Sequence, residues 1–158
     1  MFCIGDRVVY PMHGAGVIEA IEEREVLGES HHYYVMNIPI GNMKVFIPLS
    51  NVNQLGIREV ISSDEVPQVL KILENESTLP VLAWNRRYRA NMDRIKSGDI
   101  YSIAEVVRSL SQRDHEKGLS TGEKKMYDNA CQIMVSELVL AEGVKADEMT
   151  QRIKGLLA

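Results

Sequence analysis

The sequence predicts an α+β protein, with a small bent antiparallel β barrel over residues 1–60 followed by an all-helical region over 61–158. Three observations carry that expectation. Short β-rich runs at close spacing, punctuated by glycine, fill the first sixty residues. Helical periodicity with capping signals takes over after Val60. The single tryptophan, Trp84, opens a stretch with three arginines and a tyrosine in the next five residues, Asn85-Arg86-Arg87-Tyr88-Arg89.

The elements follow in order. Asp6 to Tyr10 reads as a short strand ended by Pro11, and His13-Gly14-Ala15-Gly16 as a turn. Val17 to Val26 is a second strand, and Leu27-Gly28-Glu29-Ser30 a hairpin turn. Tyr33 to Ile38 and Met43 to Ile47 are further strands, with a turn at Gly41-Asn42 between them. Sixty residues make a small core, so this region is expected to lean on a helix. Ser62 and Glu65 form a capping box for a helix reaching about Leu73. Residues 74–80 read as a linker. A helix from Trp84 to about Lys96 follows, broken at Ser97-Gly98-Asp99. The next starts near Ile100 with Ile100, Ile103, Val107 and Leu110 on one stripe, and stops at Gly118. Ser120 and Glu123 suggest a second capping box. Its helix turns Met126, Ala130, Ile133, Met134, Leu138 and Ala141 inward and ends at Gly143. A short last helix holds Met149, Ile153, Leu156 and Leu157.

Composition is that of an ordinary soluble globular chain, 45% apolar and 25% charged. No run is apolar and long enough to span a bilayer, and the N-terminus lacks the pattern of a signal peptide. Cys3 and Cys131 lie far apart, which suggests free thiols in a reducing, cytoplasmic setting. Net charge is −4. Only residues 84–125 form a positive block, with 10 basic and 6 acidic side chains. A patch that modest implies weak, strongly salt-dependent affinity for nucleic acid.

On a helix, Trp84, Arg87 and Tyr88 share a face, because residues three and four apart are neighbours. An aromatic beside guanidinium groups suits a nucleic-acid surface, where cations meet phosphates and the ring wedges beside a base. A tryptophan anchoring its helix to the core, with arginines on a solvated face, fits the same residues. Lys124 and Lys125 add a second cationic site near a helix N-terminus, where backbone N–H groups favour an anion. A solvated pair balanced by Glu123 fits those lysines as well.

Catalytic chemistry has no constellation to carry it. His31 and His32 are adjacent on a strand, so they point to opposite faces and make a poor metal chelate. Gly14-Ala15-Gly16 lies between strands and lacks the helix N-terminus that holds a pyrophosphate. No serine sits in a nucleophile elbow. The expectation is therefore no enzyme, no cofactor, no metal and no small-molecule substrate.

Three ordered segments resemble the CarD-like (CdnL) bacterial transcription regulators: Gly5-Asp6-Arg7-Val8-Val9-Tyr10-Pro11-Met12-His13-Gly14, Trp84 to Asn91, and Gly118 to Met126. The first segment also resembles the related module of transcription-repair coupling factors. The resemblance implies a Tudor-like β module, residues 1–60, that docks on the β subunit of RNA polymerase. It implies a helical domain, residues 61–158, that holds promoter DNA at the upstream edge of the bubble without sequence-specific readout. Trp84 would be the minor-groove wedge, with Arg86, Arg87, Arg89, Lys124 and Lys125 on the flanking phosphates. Arg24 would face the polymerase, with Glu25 and Val26 beside it. Some relatives carry a second arginine where this chain has Phe46, so the polymerase contact departs from the family pattern there. A protein–protein adaptor without DNA contact, with Trp84 as its anchor, is the alternative.

Overall fold

The computed structural model describes residues 1–158. Five antiparallel strands come first: β1 (Arg7–Tyr10), β2 (Gly14–Val26), β3 (Glu29–Ile38), β4 (Met43–Pro48) and β5 (Arg58–Glu59). Five helices follow: α1 (Val66–Glu74), α2 (Trp84–Lys96), α3 (Ile100–Lys117), α4 (Thr121–Glu142) and α5 (Ala146–Leu157). The strand order is β4-β3-β2-β1-β5.

The α+β class is as the sequence predicts, but the sheet is open and no barrel forms. Closure would need β4 to meet β5, and these lie at opposite edges. β5 is only two residues long and pairs with β1 alone. The β2–β3 register shifts between Ile18 and Ala20, an irregularity of the kind that bends a strand.

Gly14-Ala15-Gly16 is not a turn. The turn falls on Pro11 to His13, and the two glycines open β2. Both sit at close approaches. A Cβ on Gly16 would lie 2.2 Å from the Asn37 carbonyl oxygen of β3, and one on Gly14 would lie 2.9 Å from Ser136 Oγ of α4. Farther along, Leu27 and Gly28 take φ of 53° and 80°, which closes the β2–β3 hairpin in two residues with Val26 opposite Glu29.

Apolar side chains gather into two cores. Val8, Ile18, Tyr34, Met36, Ile38, Ile47 and Val52 form the smaller core, against the sheet. The larger core, of 20 buried residues, lies among the helices and includes Leu73, Ile103, Leu110, Met134 and Leu138. The stripes read on α3, α4 and α5 point into it, except that Ala141 and Leu156 are only partly buried.

The sheet leans on α4 through polar as well as apolar contacts. Ser136 Oγ accepts from the Ala15 N–H at 2.8 Å. Glu137, buried in the same turn, accepts from both Arg58 terminal nitrogens at 2.7 Å and from the Ile61 N–H at 2.9 Å. Arg58 also donates to the Gly98 carbonyl, and Arg7 to the Leu140 carbonyl. A buried carboxylate satisfied by a bidentate guanidinium and a backbone N–H fixes orientation as well as proximity.

A candidate nucleic-acid interface

α2 begins where Ala83 leaves the extended region, without a side-chain cap. Its first turn rests on the N-terminus of α4. Trp84 Nε1 donates to Ser120 Oγ at 3.3 Å, and the Trp84 ring stacks on Tyr88 with centroids 5.3 Å apart and planes 23° apart. The Trp84 residue remains 46% exposed, so it is not a core anchor.

The three arginines separate. Arg86 and Arg89 are exposed, and Arg89 borders shallow grooves on both sides, one shared with Trp84, Tyr88 and Met92 and the other with Arg86. Asp93 borders both grooves and tempers their charge. Arg87 turns inward. Its side chain is 12% exposed, and it donates to Glu123 at 2.8 and 3.1 Å and to the Leu82 carbonyl at 3.0 Å. The expectation that Arg87 meets phosphate does not fit that position, because its side chain is largely buried and three of its five N–H donors are bound within the fold.

Glu123 is the residue the sequence misassigned. Its carboxylate does not close a capping box on Ser120. Only half of the box forms, with Ser120 Oγ accepting the Glu123 N–H at 3.2 Å. The carboxylate instead receives Arg87 and faces Arg113 Nε at 3.9 Å. Burial pushes the Glu123 carboxyl up, but the hydrogen bond and charge of Arg87, with Arg113 and Ser120 behind them, hold it below its ordinary value of 4.5. Lys124 and Lys125 follow on the same turn and are both exposed. The N-terminus carrying them touches the Trp84 end of α2, where Gly122 brings its backbone against the Tyr88 ring. Trp84, Arg86, Arg89, Lys124 and Lys125 therefore belong to one end of the helical region.

The residues expected to face the polymerase lie on the sheet. Alternation along β2 puts Glu22, Arg24 and Val26 on one face and Glu23 and Glu25 on the other. Phe46 of β4 shares the Arg24 face, and the Arg24 guanidinium lies over its ring at 4.2 Å. Arg24 also pairs with Glu22 at 3.1 Å. Arg24, Val26 and Phe46 thus form an exposed group, while Glu25 is turned away from it.

No group of three or more potential metal-ligating side chains occurs, and no helix is long and apolar enough to cross a membrane. Both cysteines are free. Burial pushes the Cys131 thiol up to about 11, so it is no nucleophile at neutral pH.

Both regions of the chain match known family domains. Residues 2–61 match the CarD-like/TRCF RID domain, and residues 68–154 match the CarD C-terminal domain. The YdeB protein of Bacillus subtilis (strain 168), described as a candidate transcription factor, is 46% identical over 144 residues, 91% of this chain and 94% of that one. The chain belongs to the CarD family. CarD-like proteins are transcription factors, not enzymes. A solution NMR structure of the 72-residue N-terminal domain of Myxococcus xanthus CarD matches at 32% identity, covering 37% of this chain and 79% of that one, with a TM-score of 0.33.

Proposed function

We propose that this CarD-family protein docks on the β subunit of RNA polymerase through residues 1–60 and stabilises the promoter open complex through residues 61–158. Trp84 is the wedge at the upstream edge of the bubble, and Arg86, Arg89, Lys124 and Lys125 meet the flanking phosphates. Arg87 supports that surface from behind. The observation that carries the reading is the half-exposed Trp84 ring at an end of the helical region with four exposed cations. On the sheet, the Arg24–Phe46 pair with Val26 is the polymerase-facing group, and its support is the CarD family itself together with the exposure of those side chains.

Physical chemistry favours this division of labour. A chain of net charge −4 with one modest basic end cannot select promoters among many competing sites by itself. Tethering to polymerase makes the DNA contact intramolecular, at an effective concentration of about mM. Wedging a ring between stacked bases costs on the order of a few kcal/mol per step. At a bubble edge that stacking is already broken, so the ring is favoured there over intact duplex. The product is a longer-lived open complex with little dependence on sequence. The test is the decay of competitor-resistant open complexes on a promoter with and without the protein. Lengthened decay supports the proposal, and unchanged decay at saturating protein counts against it.

A further inference from the structure

We infer that Ser120 is the positioning residue for Trp84, its hydroxyl fixing the indole in one orientation before any DNA is met. For its functional consequence this rests on the wedge reading, while its structural content stands apart. A serine hydroxyl offers one donor and two acceptor sites, and here all three are used. Ser120 Oγ accepts Trp84 Nε1–H at 3.3 Å and the Glu123 N–H at 3.2 Å, and it lies 3.5 Å from Glu123 Oε1. Glu123 is itself immobilised by Arg87. Tyr88 restrains the plane of the indole by stacking, and Ser120 restrains rotation within that plane.

Two consequences follow. The only hydrogen-bond donor of the indole is turned toward the protein, so the exposed part of the ring presents carbon to the DNA and reads no base edge. A ring frozen in advance loses less freedom on binding, an advantage of roughly two- to tenfold for one ordered side chain.

Because Trp84 is the sole tryptophan, fluorescence reports on this ring alone. Ser120→Gly removes the hydroxyl while keeping a residue tolerated at a helix N-cap. In the free, full-length protein it should lower Trp84 anisotropy and raise acrylamide quenching. With RNA polymerase and a promoter it should shorten open-complex lifetime about two- to tenfold, as one lost hydrogen bond does. Ser120→Thr, which keeps the hydroxyl, should restore both. Anisotropy and quenching equal to wild type in Ser120→Gly would overturn the inference. So would a loosened ring with normal lifetime if Trp84→Ala shortens it. In a Trp84→Phe background, which has no N–H to hold, Ser120→Gly should cost no further lifetime. An equal further loss would assign the effect to helix capping and overturn the inference too. If Trp84→Ala leaves lifetime unchanged, the wedge reading fails, but a ring loosened by Ser120→Gly still supports the positioning.

Discussion

Arg87→Ala should destabilise the fold rather than merely weaken DNA contact. The guanidinium makes two hydrogen bonds to Glu123 and one to the Leu82 carbonyl, and the Glu123 side chain is 2% exposed. Removing one partner of a buried ion pair costs about 3–5 kcal/mol, because the other charge stays buried. Arg113, 3.9 Å from the same carboxylate, offsets part of that and puts the cost near the lower end. For a chain of this size, each kcal/mol lowers the melting temperature by about 2–4 °C, so a loss of roughly 6–12 °C is expected. Arg86→Ala and Arg89→Ala, at exposed positions, should stay within about 0.5 kcal/mol of wild type. Arg87→Met combined with Glu123→Leu should recover much of the loss, since replacing both charges leaves neither unpaired. Thermal denaturation of the five proteins decides it. If Arg87→Ala melts like Arg86→Ala, the ion pair does not hold α2 to α4.

Acid should act on the same pair. Glu123 is held below its ordinary value in the folded protein, so its contribution is complete above about pH 4.5 and is lost as pH falls through the depressed value. The melting-temperature gap between wild type and the Arg87→Met/Glu123→Leu variant should therefore narrow in wild type's disfavour below pH 4.5, and a gap that stays constant would contradict this. Arg24→Glu should abolish capture of the polymerase β subunit with a nearly unchanged melting curve, since the side chain is exposed and its partners, the Glu22 carboxylate and the Phe46 ring, are surface contacts. Retained capture would remove Arg24 from the interface. Lys124→Ala should lower the salt dependence of DNA contact by about one unit of slope, equally on unrelated sequences; a loss confined to one sequence would indicate base readout instead.

Much of the helical region was legible because its boundaries are written in local chemistry. Ser120 and Gly143 bracket α4 as N-cap and left-handed stop, and Trp84 and Lys96 bound α2 as read. What periodicity cannot say is which element covers a face. It correctly grouped Trp84, Arg87 and Tyr88, yet that face lies on α4, which is why Arg87 meets Glu123 and Tyr88 meets Gly122. Ser-x-x-Glu is equally a capping box or half of one with a distant partner, and the tertiary arginine won over the local N–H. Glu137 carried a readable signal, an acidic side chain three residues after Met134 and four after Ile133 on an apolar stripe. Such a position calls for a buried cation, but only the fold identifies it as Arg58. The barrel failed for a related reason. Strand spacing was legible, whereas closure depends on edge pairing that no local pattern specifies.

The most direct test of the wedge is the open-complex lifetime with Trp84→Ala compared with the wild-type protein, each at saturating concentration and with its melting curve recorded. Base–aromatic stacking contributes about 1–3 kcal/mol. With that contribution lost at this step, lifetime should fall roughly five- to a hundredfold, at about 1.4 kcal/mol per factor of ten. Polymerase binding should be nearly unchanged, and the half-exposed ring should leave the melting temperature close to wild type. A normally folded Trp84→Ala protein that sustains the wild-type lifetime would contradict the account.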